Sequence, residues 1–290
     1  MTKTKFLLTL TLALLVTTAG CSGLLGDGPE GSAPATGDGA TNGSTPDNAT
    51  NDTEEPSATE VDAASALPSD LAAVHERSLR AAGSFSARQE ITIASTDPTV
   101  EPSEFNASVG YRIDLGADRA RSWSAFALSI DTYTEGETTY EQSKFDPNAT
   151  DENATYTVAS ANDSSSFVPD PVNVTEAMGL PLTEVGNVSY ERAGTDRFDG
   201  AAVTRYVADG PEAYHGLPTH TSDNATLAAF SATLLVDDSG IVRLNEWSAT
   251  LVDAEGAEVS FAYRHAITDV GETRVERPPW LEYARERGSR

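Results

Sequence analysis

The sequence has very little cysteine and very little lysine. Its one cysteine is Cys21, which excludes an internal disulfide framework, a thiol redox pair and a cysteine-rich zinc site. Lysine occurs only at positions 3, 5 and 144, and 45 acidic residues face 19 basic ones, so the formal net charge is −26. Because a surface this negative repels phosphate backbones, we expect no nucleic-acid partner.

Catalytic motifs are lacking as well. The chain has no Gly-x-Ser-x-Gly elbow, no Gly-rich phosphate loop that ends in Lys, and no His-Glu-x-x-His pair. Its four histidines, at positions 75, 215, 220 and 265, lack the spacing of a metal site. His265 falls on the inward side of the last predicted strand, which favours a satisfied, half-buried structural side chain. We therefore expect no enzyme, no cofactor and no metal.

The start of the chain has the three parts of an export signal. Lys3 and Lys5 precede an apolar run over residues 6–16, which is too short to span a bilayer. Small residues follow, and the sequence Thr-Ala-Gly-Cys that ends at Cys21 resembles a lipobox, the cleavage motif of prolipoproteins. The resemblance implies a signal peptide over residues 1–20 and a lipid on Cys21. It also implies anchoring to the outer face of the cytoplasmic membrane. An ordinary signal with a chance cysteine is the alternative.

Composition points to a habitat and to a linker. The acid-rich, lysine-poor balance resembles that of proteins from extreme halophilic archaea, because molar salt screens charge repulsion. An acidic surface protein of a mesophile is the alternative.

Residues 21–66 consist mostly of Gly, Ser, Thr, Pro, Asp and Asn. Such a segment has too few apolar side chains to offset its ordering entropy, so we predict a disordered linker.

Asparagine occurs almost only in the Asn-x-Ser/Thr context. The single exception is Asn245. Such sequons predict N-glycosylation of an exported protein, and by-products of Asn/Thr-rich turns are the alternative. The candidate sites are Asn42, Asn48, Asn51, Asn106, Asn148, Asn153, Asn162, Asn173, Asn187 and Asn224.

Residues 67–290 have the pattern of a single β-rich domain. Ser69 is predicted to cap an amphipathic helix that stops at Gly83. Period-two alternation then predicts about nine to eleven strands, joined by hairpin turns such as Glu135-Gly136 and Asp199-Gly200. We therefore expect a mainly β (α+β) fold, in which a strongly curved antiparallel sheet or unclosed β-barrel carries the N-terminal helix on its concave face.

The order of lipobox, linker, helix and meander, with a tail from Ile267 to Trp280, resembles a known group of proteins. That group comprises the uncharacterised haloarchaeal cell-surface lipoproteins and, more distantly, the LolA/LolB and LppX/LprG-type lipoproteins. Its local motif here is the Asp-x-Gly ending that runs from Asp269 to Pro278. The resemblance implies an unclosed barrel of about eleven strands that holds acyl chains beneath its helices.

Two functions follow from this pattern. In the first, a lipid-anchored surface protein binds or carries an apolar ligand, such as a lipid, in the cavity of its sheet. In the second, a structural or interaction lipoprotein of the envelope has no small ligand, and the same side chains form a solid core. The residues that would line the cavity are Tyr111, Ile113, Trp123, Phe230, Leu234, Trp247, Phe261 and Tyr263.

Overall fold

The computed structural model describes residues 67–98, 103–125, 129–146, 149–160, 172, 186–215 and 225–288. The predicted signal peptide, Cys21 and the predicted linker lie outside them. Within these ranges the chain forms two α-helices, α1 (Leu71–Ala82) and α2 (Leu281–Arg287), and eleven strands. The strands are β1 (Ser84–Ser95), β2 (Glu104–Asp114), β3 (Arg119–Ala125), β4 (Ser129–Glu135), β5 (Thr138–Lys144), β6 (Thr155–Ser160), β7 (Glu191–Phe198), β8 (Ala201–Asp209), β9 (Thr226–Asp237), β10 (Val242–Val252) and β11 (Glu258–Thr268).

All eleven strands belong to one antiparallel sheet. Its order is β6-β5-β4-β3-β2-β1-β11-β10-β9-β8-β7, so two meanders meet where β1 pairs with β11. Strands β6 and β7 form the two edges, and the sheet does not close between them in the described residues. The predicted mainly β fold with an unclosed sheet is therefore confirmed, and the strand number lies at the upper end of the expected range.

Two hairpin turns have the backbone that their sequences predict. Asp199 and Gly200 have φ values of 49° and 76°, as the two-residue loop between β7 and β8 requires. Gly136, between β4 and β5, has a φ of 58°. Residues that tolerate a positive φ therefore set the register of these two hairpins.

Helix α1 lies on one face of the sheet because it buries one stripe. Leu71, His75 and Leu79, spaced by four residues, are its buried side chains, and Gly83 ends it with a φ of 77°. The predicted stop is confirmed, whereas the predicted cap at Ser69 is wrong. Asp70 occupies the N-cap position, and no side chain caps the helix. The first helical amide, that of Leu71, is instead bonded to the carbonyl of Pro68.

We call the side of the sheet that α1 covers the helix face. There Leu79 packs with the strand residues Phe85, Ile113 and Ile267, and Leu71 packs with Leu234. Val172 is also buried in the Leu79 cluster. The side chains that alternate with these form the opposite face, since successive residues of a strand point to opposite sides.

Helix α2 packs on the opposite face, and the sequence pattern did not predict it. Leu281 and Ala284 are buried there against Tyr133 of β4 and Trp280. Three arginines, Arg119, Arg277 and Arg285, form ion pairs with the single carboxylate of Glu135. The sheet is thus covered by different helices on its two sides. No helix among the described residues is long and apolar enough to cross a membrane.

Candidate functional site

An apolar cluster lies on the helix face where no residue of α1 takes part. We call it the distal cluster. Its buried members are Ile91 and Ile93 of β1 and Tyr263 of β11. Half-buried side chains complete it, namely Phe105, Trp247, Val259 and Phe261. Leu71 and Leu79 of α1 belong to other clusters, so the helix covers only part of its face.

Strand register explains why these side chains meet. Tyr263 of β11 lies between Ile91 of β1 and Trp247 of β10. Trp247 is in turn opposite Ala232 of β9, so one row of side chains crosses four strands. The rings of Trp247 and Tyr263 have centroids 5.9 Å apart and planes inclined by 31°. Cross-strand pairs of this kind stabilise a sheet and present a continuous apolar surface.

The next row toward α1 is polar. Gln89 is opposite His265, and His265 is opposite Asn245. We call these three residues the polar row, and all three are buried. His75 of α1 is buried as well, and its Nδ1 accepts a hydrogen bond of 3.0 Å from the backbone amide of Val242. The polar row therefore separates the core beneath α1 from the distal cluster.

His265 is a neutral side chain in this environment. Burial lowers its pKa to about 3, and the neighbouring His75 acts in the same direction. The predicted position on the inward side of the last strand is correct. However, the side chain is buried rather than half-buried, with 7% of the residue exposed, and its Nε2 has no hydrogen-bond partner in the described part of the chain. The prediction of a half-buried side chain is therefore wrong, and Nε2 is the ring nitrogen that the described residues leave unsatisfied.

The helix face of the five central strands carries no acidic or basic side chain among the residues that alternate onto it. This is notable in a chain of which 22% is charged. Those residues are Phe85, Ala87, Gln89, Ile91 and Ile93 of β1, Phe105, Ala107, Val109, Tyr111 and Ile113 of β2, Phe230, Ala232, Leu234 and Val236 of β9, Asn245, Trp247, Ala249 and Leu251 of β10, and Val259, Phe261, Tyr263, His265 and Ile267 of β11.

The predicted cavity residues are divided among several clusters. Tyr111 and Ile113 lie in the cluster that contains Leu79, and Leu234 in the cluster that contains Leu71. Phe230 packs in a third cluster, with Val188, Ala208, Ala213 and Ala232. Trp247, Phe261 and Tyr263 belong to the distal cluster. Seven of the eight predicted residues therefore share the helix face.

Trp123 is the exception, and its prediction as a cavity residue is wrong. It is opposite Gly110, which alternates with Tyr111, so its indole lies on the opposite face. The ring is 38% exposed, and the guanidinium carbon of Arg112 lies 5.7 Å from its centroid. The helix-face residues of β3 are Ala120, Ser122 and Ser124, so in this strand the large side chain is the outward one.

The sequence pattern missed Gln89 and Asn245, which complete the polar row. One signal could have identified Asn245, because it is the only asparagine outside a sequon and it is buried. The described sequon asparagines, Asn106, Asn153 and Asn187, are all exposed. The other seven candidates lie outside the described residues, namely Asn42, Asn48, Asn51, Asn148, Asn162, Asn173 and Asn224.

The remaining histidines do not build a metal site in the described residues. His215 is exposed, and its Nε2 lies 2.7 Å from the hydroxyl of Ser189. His220 lies outside the described ranges. No group of three or more His, Cys, Asp or Glu side chains is placed to hold a metal ion in the part of the chain that the structure describes.

The opposite face carries a groove of about 270 Å³ over β1 and β9–β11. Hydroxyls line it, including those of Thr92 and Ser248, and the charged side chains of Glu246 and Arg264 flank them. An acyl chain in this groove would have to desolvate these charged and hydroxyl groups. The helix face is therefore the candidate site for an apolar ligand.

Fold and site together define a mainly β protein with one open antiparallel sheet, an apolar helix face and a buried polar row. The chain belongs to a family of unknown function, DUF7537, whose model matches residues 6–284. The matched region includes Cys21. The sequence has no significant match among curated proteins.

Several solved structures have a similar arrangement. The lipoprotein LppX of Mycobacterium tuberculosis is 14% identical, with a TM-score of 0.30, and the match covers 72% of this chain and 98% of that one. LprF of Mycobacterium bovis is 13% identical, with a TM-score of 0.29 and coverages of 72% and 97%. A LolA superfamily protein of Nitrosomonas europaea is 9% identical, with a TM-score of 0.22 and coverages of 74% and 96%.

The structural similarity to LppX and LolA-type proteins that the element order predicted is therefore found. TM-scores this low indicate a distant likeness and carry no information about a ligand. The function proposed below rests on the residues of this chain.

Proposed function

We propose that this protein is a non-enzymatic, lipid-anchored and N-glycosylated protein of the cell surface that binds a lipid on its helix face. The observation that carries the proposal is the distal cluster. Its four aromatic side chains, Phe105, Trp247, Phe261 and Tyr263, lie beside Ile91 and Ile93 in a region to which α1 contributes no residue. Acyl chains are the ligands that such a surface suits.

The energetics favour a hydrocarbon ligand. Each methylene that leaves water for an apolar surface contributes about 0.8 kcal/mol, so a chain of ordinary lipid length gains several kcal/mol. The helix face of the central strands has no charged side chain that such a ligand would have to desolvate. Apart from the tyrosine hydroxyls and the indole N–H of Trp247, the polar groups there are those of Gln89, His265 and Asn245.

Other features support the surface location. The lipobox-like sequence that ends at Cys21 supports a thioether-linked anchor, and two lipid chains on one cysteine would hold the protein firmly. Exposure of the sequon residues Asn106, Asn153 and Asn187 supports glycosylation, because an acceptor amide has to be accessible. The acidic composition supports a habitat of high salt, such as that of a halophilic archaeon.

The test uses two neighbouring residues of β10 that lie on opposite faces. Ala249 is opposite Phe261 on the helix face, and Ser248 is opposite Ala262 on the other face. Protein is purified from membranes of its own host, and co-purifying lipids are extracted and quantified by mass spectrometry. We expect Ala249→Phe to reduce the bound lipid, because the added ring fills space beside Phe261. We expect Ser248→Phe to leave the bound lipid unchanged.

Two outcomes would contradict the proposal. If wild-type protein carries no stoichiometric lipid, the structural or interaction function without a small ligand takes its place. If both variants carry as much lipid as the wild type, the ligand lies elsewhere than on the helix face. Thermal unfolding of each variant shows whether the fold is intact.

A further inference from the structure

Several buried polar atoms have no hydrogen-bond partner in the part of the chain that the structure describes, and three of them lie close together. These three are the indole Nε1 of Trp247, the imidazole Nε2 of His265 and the hydroxyl of Tyr190. Buried polar atoms in proteins are nearly always hydrogen-bonded, because an unpaired group loses its water without compensation. Three such atoms therefore call for a partner.

These atoms belong to one region of the helix face. Trp247 is opposite Tyr263, and His265 follows two residues later on the same face of β11, so Trp247 and His265 are diagonal neighbours. Tyr190 packs in the two clusters that contain Leu234 and Ala232, the strand β9 partners of Asn245 and Trp247. We call Trp247, His265 and Tyr190 the donor belt. It lies along the boundary between the core beneath α1 and the distal cluster.

The chemistry of the donor belt selects its partner. An indole N–H can only donate, and a tyrosine hydroxyl readily does so, so the partner supplies acceptor oxygens. Burial also raises the pKa of the Tyr190 hydroxyl, which keeps it protonated. The central strands present no lysine or arginine on this face. An anionic group placed there would be desolvated without a counter-charge, which is strongly unfavourable.

We infer, taking the proposed lipid-binding function as given, that the ligand is an uncharged lipid whose ester, ether or hydroxyl oxygens accept hydrogen bonds from the donor belt. Trp247 is the residue that determines this specificity, because its ring borders the distal cluster while its N–H is directed to the polar end of the ligand. The hydrocarbon lies on Ile91, Ile93 and Phe261. Among the described residues, β1, β2, β9, β10 and β11 offer no cationic partner for the phosphate of a phospholipid on this face, which disfavours that class of ligand.

Three probes with the same chain length test this inference. Monooleoylglycerol has acceptor oxygens and no charge, oleoyl lysophosphatidic acid adds a phosphate, and octadecene has no oxygen at all. Binding of each labelled probe to the purified full-length protein is measured by equilibrium dialysis below its micelle concentration. We expect the wild type to bind monooleoylglycerol at least about tenfold more tightly than lysophosphatidic acid, because the phosphate loses its hydration without a counter-charge.

The variant Trp247→Phe removes the N–H and keeps an aromatic ring. We expect it to weaken binding of monooleoylglycerol about 3- to 10-fold relative to octadecene, the range expected for one lost hydrogen bond. Both probes lose the same apolar contact when the indole is replaced by the smaller phenyl ring. The ratio of their two affinities therefore reports the lost N–H group alone. Trp123→Phe on the opposite face is the matched control, and it should leave both affinities unchanged. Tyr190→Phe tests a second member of the belt with the same pair of probes.

Each outcome decides one question. If the ratio of the monooleoylglycerol and octadecene affinities is the same in wild type and in Trp247→Phe, the role of the donor belt is overturned. The proposal of lipid binding is not affected by that result. Tighter binding of lysophosphatidic acid would overturn the uncharged class. If none of the three probes binds to correctly folded protein, the proposed function itself fails and the inference fails with it.

Discussion

The imidazole Nδ1 of His75 accepts a hydrogen bond of 3.0 Å from the backbone amide of Val242, and only 1% of His75 is exposed. This bond joins the middle of α1 to the first residue of β10. One turn further along the helix, the hydroxyl of Ser78 donates to the carbonyl of Ser239 at 2.6 Å. Helix α1 is therefore held to the β9–β10 hairpin by directional bonds as well as by its buried leucines.

The first prediction concerns this bond. Replacement of His75 by Leu retains an apolar side chain of similar size but leaves the amide of Val242 buried without an acceptor. We expect a loss of about 1–3 kcal/mol in the free energy of unfolding, the usual penalty for such a group. Urea unfolding measures it. Arg77→Gln, at an exposed position two residues further along the helix, is the control and should change stability by less than about 0.5 kcal/mol. Equal effects of the two changes would contradict the prediction.

The second prediction compares two glycines in similar turns. Gly240 and Gly256 have φ values of 83° and 84°, but a Cβ at Gly240 would collide with the side chain of Val74, whereas a Cβ at Gly256 would meet nothing within 4 Å. Both alanine variants carry the backbone strain of a positive φ, so their difference measures the contact with α1. We expect Gly240→Ala to lose about 1–3 kcal/mol more than Gly256→Ala. Equal thermal stabilities would mean that the helix moves freely away from the turn.

Local sequence signals predicted the elements whose determinants are local. The turn at Asp199-Gly200 needs two positive φ values, and this dipeptide is one of the few that adopt them without strain. Gly83 ends α1 for the same reason. Helix α2 escaped prediction because it has only seven residues, of which Leu281 and Ala284 are buried. Two apolar positions are too few to establish a helical period.

The candidate site depended on contacts that are distant in sequence. Gln89 meets His265 only because the first strand pairs with the last one. No local pattern reports that register, so the polar row could not be predicted. Trp123 was placed on the wrong face because β3 reverses the usual pattern, with alanine and serines inward and a large ring outward over Gly110. The size and hydrophobicity of the Trp123 side chain therefore predicted the wrong face of the sheet.

The third prediction is a pH dependence due to His265. Its pKa is about 3 in the folded protein, against an ordinary value of 6.5. Above pH 6.5 the imidazole is neutral in both states, whereas below it the unfolded chain binds a proton that the folded chain does not. Stability therefore falls as the pH drops from about 6.5 toward 3. We expect a loss of about 2 kcal/mol between pH 7 and pH 5 from this group.

The measurement is urea unfolding of the wild type and of His265→Gln at pH 7 and pH 5. The measurement stops at pH 5 because carboxylates with lowered pKa values, such as those of Glu135 and Asp237, bind protons only at more acidic pH. His75, which lies close to His265, is present in both proteins, so the difference between the two slopes isolates His265. Parallel slopes would show that His265 is protonated without cost.

The fourth prediction concerns the attachment of α2. Glu135 accepts from Arg277 at 2.7 Å and from Arg119 at 2.8 Å, and these contacts lower its pKa. Glu135→Gln keeps the size of the side chain and removes the charge that the arginines share. We expect faster backbone hydrogen exchange in α2 and in β6, with a global loss of at most about 1 kcal/mol, because the pairs are partly exposed. Glu258→Gln, at an exposed position of β11, is the control. Unchanged exchange in α2 would mean that Leu281 and Trp280 alone hold it.

The last prediction concerns Cys21, and it separates the anchor from the fold. Cys21 lies 46 residues before Leu67, the first clustered residue of the described part of the chain, and the segment between them has too few apolar side chains to pack. Cys21→Ser should therefore unfold at the same temperature as the wild type. If a thioether-linked lipid on this cysteine anchors the protein, the same change moves it from the membrane fraction to the soluble or secreted fraction. The apolar run of residues 6–16 is too short to span a bilayer in its place. Fractionation at high salt and mass spectrometry of the N-terminal peptide measure both effects. Equal membrane association of the two proteins would show that an uncleaved signal or a partner anchors the chain, and the lipoprotein interpretation would then fail.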